Sequence, residues 1–123
     1  MARKIALVDD SALVRASLCE MLGEIPNFEI VGEYDQAREA IAGITERPVD
    51  IILLDIRLRG SSGMDVLDHV KQSLPDAIVI VFSSQSDRLN RERALAAGAK
   101  MFLSKTDDIE QLHDILVEFA SHG

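Results

Sequence analysis

Five short apolar runs punctuate the chain: KIALV at 4–8, FEIVGEY at 28–34, DIILLD at 50–55, AIVIVF at 77–82 and AKMFL at 99–103. Runs of this length, rich in Ile and Val, predict strands. Several are apolar at successive rather than alternate positions, which predicts burial on both faces, as in a parallel sheet. Between them the apolar spacing widens to that of a helix. Val14, Leu18, Met21, Leu22 and Ile25 share one helix face, and Pro26 stands where that helix should stop. Ala37 to Ile44 predicts a weaker second helix, closed by Pro48. Leu67, Val70 and Leu74 give a third, started near Ser61 or Ser62 and ended before Pro75. The fourth, about 87 to 97, is alanine-rich, and Gly98 suits its C′ position. Ile109, Leu112, Ile115, Leu116 and Phe119 form one face of the fifth, with Asp107 and Glu110 placed as an N-cap and an acid at N3.

Strand and helix thus alternate as (βα)₅. Right-handed crossovers then place helices on both faces of the sheet. The predicted class is α/β, a doubly wound five-stranded parallel sheet. In the flavodoxin-like order 2-1-3-4-5 the first and third strands are central neighbours, and the functional crevice lies outside the C-terminal strand ends.

Size and charge narrow this further. The 123 residues fit a single domain, 1–123, large enough to bury a core without disulfides. The one cysteine, Cys19, lies among apolar residues of the first helix, reads as a small packing residue, and fits a reducing cytoplasm. No apolar run approaches the roughly 20 residues of a membrane span. The opening MARKIALVDD turns acidic directly after Val8, unlike a signal peptide. A net charge of −8 argues against non-specific binding to DNA or an anionic membrane.

The candidate chemistry sits at the strand ends. The first strand ends in Asp9-Asp10, the third in Asp55, the fourth in Ser83-Ser84 and the fifth near Ser104-Lys105. In the predicted order these groups meet at one mouth. Crowded carboxylates repel, and a hard divalent cation such as Mg²⁺, which takes oxygen ligands, relieves them. A lysine and a serine hydroxyl beside them could hold phosphate oxygens. The set fits phosphoryl transfer onto one carboxylate. Each residue alone has a plainer role: Asp9 or Asp10 as a helix cap, Ser83 and Ser84 as turn residues, Lys105 as a solvated lysine, Phe102 as core.

The pair VDD, the strand ILLD followed by G-x-x-G, VFSS and AGAKMFLSK together resemble the receiver domain of two-component response regulators, in order and along essentially the whole chain. In motif style they are closest to the nitrate-response class, which usually carries a C-terminal DNA-binding domain. The resemblance implies Asp55 as phosphoacceptor, charged by a sensor histidine kinase or a phosphotransfer protein. It implies direct Mg²⁺ ligation by Asp10, ligation by Asp9 through water, and a further ligand in the Arg57 backbone carbonyl, with Asp55 completing the metal set. It also implies Ser83 and Lys105 on the phosphoryl oxygens, and Phe102 as a switch aromatic that turns inward when Ser83 moves toward the phosphate. Such a protein is not an enzyme with a separate substrate; it catalyses only its own phosphorylation and dephosphorylation. The implied output surface is the fourth helix, fifth strand and fifth helix, where Arg88, Arg91, Glu92, Lys100 and His113 form a patch for a downstream protein. Homodimerisation is compatible with this, direct nucleic-acid binding by the chain and membrane association are not expected, and the location is cytoplasmic.

Departures from the family pattern also matter. Thr106 follows the lysine where a cis proline is common, and Arg59 stands where the loop after the phosphoacceptor often has proline, predicting a looser loop. Arg57 and Gln85 flank the site where phosphoryl lifetime is set. Rival readings fare worse. A haloacid-dehalogenase-type phosphatase needs an acid at the position of Arg57, and a flavin nucleotide binder needs a phosphate cradle where Asp9 and Asp10 stand. A degenerate receiver that only binds partners requires a lost site residue, and none is lost. The receiver portion of a DNA-binding regulator remains as an alternative organisation to a stand-alone protein.

Overall fold

The computed structural model describes residues 2–121; the predicted domain limits at 1 and 123 lie outside them. The chain runs β1 (Arg3–Val8), α1 (Ala12–Gly23), β2 (Phe28–Tyr34), α2 (Ala37–Glu46), β3 (Ile51–Leu54), β4 (Arg57–Leu58), β5 (Ser61–Ser62), α3 (Gly63–Ser73), β6 (Ile78–Ser83), α4 (Arg88–Ala96), β7 (Met101–Ser104) and α5 (Ile109–Ser121). Five strands form one parallel sheet in the order β2-β1-β3-β6-β7. This is the predicted 2-1-3-4-5 order, with β4 and β5 a separate two-residue antiparallel pair.

The run of apolar residues in β3 is explained by its central place. Ile51 to Leu54 are all buried, and their side chains alternate between two cores. Ile52 and Leu54 join Ala6, Val8, Val79, Val81 and Phe102 under α2, α3 and α4. Ile51 and Leu53 join Ile5, Leu7, Ile80, Phe82 and Leu103 under α1 and α5. Burying strands on both faces supplies the main driving force, at roughly 25 cal/mol per Å² of apolar surface. No helix among the described residues is long and apolar enough to cross a membrane.

Several predicted boundaries move. The first helix stops at Gly23, where the Glu24 N–H folds back onto the Leu22 and Met21 carbonyls, so Ile25 lies past the helix yet still joins the core with Leu18 and Leu22. Ser62 is the N-cap of α3, its hydroxyl accepting from Met64 N–H, and Leu74 terminates that helix instead of continuing it. Asp87 caps α4 through the Asn90 N–H, and Gly98 after it has φ +111°, as a C′ glycine should. The predicted cap of α5 is one residue off. Asp108, not Asp107, precedes the helix and its carbonyl accepts the Leu112 N–H at 2.9 Å.

The segment after Asp55, expected to be loose, is closed. Arg57 pairs with Ser62 and Leu58 with Ser61, and Gly60 makes the turn at φ +69°. Ile56 and Leu58 drop into the core, and the Ser61 hydroxyl accepts the Ala37 N–H at 3.1 Å, tying the loop to the start of α2.

Candidate functional site

Register brings the strand ends together. Val8 lies beside Leu54 and Leu54 beside Val81, so Asp9 and Asp55 leave adjacent strands at the same level. Ser83 pairs with Ser104, so Lys105 emerges next to the Ser83 end of β6. The backbone ladder extends one step beyond the strands to hold the acids: Asp55 N–H donates to Val8 O at 2.8 Å, and Asp9 N–H to Tyr34 O at 3.0 Å.

The predicted groups converge. Lys105 Nζ lies 2.6 Å from Asp9 Oδ2 and 2.8 Å from Asp55 Oδ2, bridging the two. Ser83 Oγ donates to Asp55 Oδ1 at 2.8 Å, and the Arg57 N–H donates to the same oxygen at 3.1 Å. Both Asp55 oxygens are therefore held, so the carboxylate has one orientation. Asp9 is only 3% exposed and Asp55 5%. Asp10, half-buried, completes the acidic group: Asp9, Asp10 and Asp55 each offer a carboxylate oxygen within 4.8 Å of the others.

One ammonium is divided between two buried carboxylates, and the protonation of Asp9 and Lys105 reflects it. Burial pushes the Asp9 carboxyl above its ordinary range, with the Asp55 charge adding to it and the Lys105 and Ser11 hydrogen bonds only partly offsetting it. Burial acts on Lys105 in the opposite sense, but the hydrogen bonds and charges of Asp55 and Asp9 outweigh it and hold the ammonium above the usual lysine range. The lysine gains from the shared contact; Asp9 does not recover its burial cost, because Nζ is divided between two acids. Oxygen donors only, packed with excess negative charge, are the donor set of a hard divalent cation, and Mg²⁺ fits them.

Other contacts at the site carry no pattern a sequence displays. Arg15 reaches back from α1 so that Nη1 donates to the Asp9 carbonyl at 2.6 Å, with Nε 3.5 Å from Glu33. Gln85 N–H donates to Ser83 Oγ at 3.1 Å, setting that hydroxyl's direction. Gly63 N–H donates to Ile56 O at 2.8 Å, and a Cβ on Gly63 would collide with the Asp55 carbonyl oxygen. The second glycine of G-x-x-G is thus there for close approach. Ser84, by contrast, points to solvent.

Phe102 is 3% exposed and sits in the core under α4. Arg91 covers it, with its guanidinium carbon 5.0 Å from the ring centroid and Nη1 donating to the Phe102 carbonyl at 3.0 Å. Arg91 therefore turns toward the protein. Of the rest of the predicted patch, Arg88 and Glu92 are exposed and paired with each other at 2.8 Å, and Lys100 and His113 are exposed.

The comparisons with known proteins agree with this geometry. Residues 5–117 match the family model for the response regulator receiver domain. The chain is 32% identical over 110 residues to the Fimbriae Z protein of Salmonella typhimurium, covering 89% of this chain and 52% of that protein. It is 33% identical over 108 residues to the transcriptional regulatory protein UhpA of Escherichia coli, covering 88% of this chain and 54% of that one. The chain thus spans about half the length of the curated relatives it matches. Among solved structures, a two-component response regulator of the LuxR family from Aurantimonas superposes with a TM-score of 0.88 at 25% identity, covering 99% of this chain and 87% of that one. The signal receiver domain of a NarL response regulator from Mycobacterium tuberculosis gives 0.85 at 25% identity, over 98% and 97% of the two chains. A strand order, a site and a sequence match that all agree place this chain in the receiver domain family of two-component response regulators.

Proposed function

We propose that residues 1–123 form one receiver domain, that Asp55 is its phosphoacceptor, and that the donor is the phosphohistidine of a sensor kinase or phosphotransfer protein. The observation that carries this is the convergence of Lys105, Ser83 and the Arg57 N–H on the two oxygens of one buried carboxylate. A carboxylate oxygen of Asp55 attacks phosphorus; the P–O bond forms as the P–N bond to the donor histidine breaks, and the departing imidazole takes up a proton. Lys105 and the Ser83 hydroxyl, already at hydrogen-bonding distance, are placed to follow charge onto the phosphoryl oxygens. Asp10, Asp9, Asp55 and the Arg57 carbonyl would hold Mg²⁺, which supplies charge neutralisation for the anionic phosphoryl group. The protein's chemistry is confined to its own phosphorylation and dephosphorylation.

The switch runs from Ser83 to Phe102, two strands joined at Ser83 and Ser104. A phosphoryl oxygen competes with Asp55 for the Ser83 hydroxyl. That contact biases the β6–α4 connection and the α4–β7–α5 face, where a downstream protein binds. We place this activity in the cytoplasm. A second reading concerns organisation: relatives named as transcriptional regulators are about twice the length matched, which favours a receiver coupled to a DNA-binding segment. The length of the open reading frame decides it.

Titration with beryllofluoride, a phosphoryl mimic, in saturating Mg²⁺ tests the reading by backbone NMR. Shifts concentrated at Asp55, Ser83, Lys105 and the α4–β7 face are expected. An unchanged spectrum would leave only a partner-binding scaffold.

A further inference from the structure

Lys105 sits in the short connection 105–108 between β7 and α5, an unpromising place to fix a long side chain. All peptide bonds among the described residues are trans, so no proline-type kink aims it. What holds the connection is a polar clasp. Ser104, 2% exposed, donates its backbone N–H to Asp108 Oδ2 at 2.8 Å, while its carbonyl accepts the Asp108 N–H at 2.9 Å. Its hydroxyl meets Thr106 Oγ1 at 2.9 Å and accepts the Thr106 N–H at 3.3 Å. On the other side, Lys105 N–H donates to Ser83 O at 3.1 Å.

The Asp108 carboxylate is the unusual member. An acid in the position before a helix ordinarily accepts from the first-turn N–H groups. This one turns back to the strand. The reason lies in the topology: β7 is an edge strand, and its outward N–H groups have no neighbouring strand to bond. At Ser104 that N–H is buried, and Asp108 satisfies it.

We propose that Asp108 is a positioning residue for Lys105. By pinning the last residue of β7, it fixes the direction in which the next residue leaves the strand and so places Nζ between Asp9 and Asp55. The proposal rests on the reading that Lys105 meets the phosphoryl group. The carboxylate makes no hydrogen bond to its own helix, and the bond from its backbone N–H survives replacement by alanine. Removing the side chain therefore isolates the clasp.

The test measures beryllofluoride binding in saturating Mg²⁺, and Mg²⁺ binding alone, on wild type, Asp108→Ala, Asp108→Asn and Lys105→Ala, with thermal melts of each. Asp108→Ala is expected to bind beryllofluoride about tenfold more weakly, the scale of a small misplacement of a binding group, with no matching loss of Mg²⁺ affinity, because Lys105 is no metal ligand and a displaced ammonium competes less for the Asp9 and Asp55 carboxylates. Asp108→Asn, which keeps an acceptor oxygen, restores most of the loss. Wild-type beryllofluoride affinity in Asp108→Ala, or equal losses for beryllofluoride and Mg²⁺, overturns the proposal. Lys105→Ala separates the two failures. If it loses beryllofluoride affinity and Asp108→Ala does not, only the positioning role falls; if it binds like wild type, the role of Lys105 falls too.

Discussion

Two aspartates bracket the same four-residue strand. Asp50 precedes Ile51 and Asp55 follows Leu54. Asp50 is exposed and its carboxylate accepts one hydrogen bond, from the Lys4 N–H at 2.8 Å, a tidy end to the strand. Asp55 is buried, takes three donors on its two oxygens, and shares a lysine with a second buried acid. Same residue, same strand, opposite ends. In a parallel sheet all C-terminal ends fall on one side, so only there do loops from separate strands bring chemistry together. The difference between the two acids is thus a matter of direction along the chain, not of residue type.

The largest contrast is expected at glycines serving the two rims. Gly63→Ala drives a methyl group against the Asp55 carbonyl and to 2.8 Å from Ile56 Cα, both backbone atoms that cannot swing away. A loss of about 1–3 kcal/mol in denaturant unfolding follows from such overpacking. Gly23→Ala, at the end of α1 with nothing near the added carbon, should instead gain about 0.5–1 kcal/mol. Equal effects would erase the asymmetry between the rims.

Arg15→Met comes next. It removes the 2.6 Å bond to the Asp9 carbonyl and leaves the Asp9–Asp10 turn without that support from α1. Calorimetric Mg²⁺ affinity is expected to fall about tenfold, the low end for losing a group that orients metal ligands.

Asp9→Asn sharpens the comparison through pH. The Asp9 carboxyl is raised chiefly by burial, so folding favours its protonated form. Its contribution to stability is present below the ordinary value of 3.8 and lost as pH rises through the raised value. At pH 7 without Mg²⁺ the ionised acid therefore weighs against the fold, and Asp9→Asn should melt above wild type. The gap closes as pH falls below 3.8, where aspartic acid and asparagine are both neutral. The smallest effect belongs to Asp50→Asn, a surface change within about 0.5 kcal/mol.

The fold was readable because its signal is repeated. Five apolar runs separated by helical spacing leave few topologies, and strand order then carries Asp9, Asp10, Asp55, Ser83 and Lys105 to one mouth. Motif spacing found the side chains that meet there. It did not find the groups that aim them. The Arg57 and Gln85 donors are backbone N–H groups, present at nearly every residue and selected only by the folded path. The β4–β5 pair escaped because RLRGSS has a single apolar residue, and Leu58 is buried only once Gly60 turns the chain. The cap of α5 was misplaced because Asp107 and Asp108 are adjacent acids, and the one at the helix start spends its carboxylate on Ser104.

The two ends of β3 can be set against each other in one measurement. Wild type, Asp50→Asn and Asp55→Asn are incubated with acetyl phosphate, with and without Mg²⁺, and read by intact mass. Wild type and Asp50→Asn should each gain one phosphoryl group, only when Mg²⁺ is present, and Asp55→Asn should gain none. Phosphoryl mass on Asp55→Asn at the wild-type level, or none on wild type, would contradict the assignment of the chemistry to Asp55.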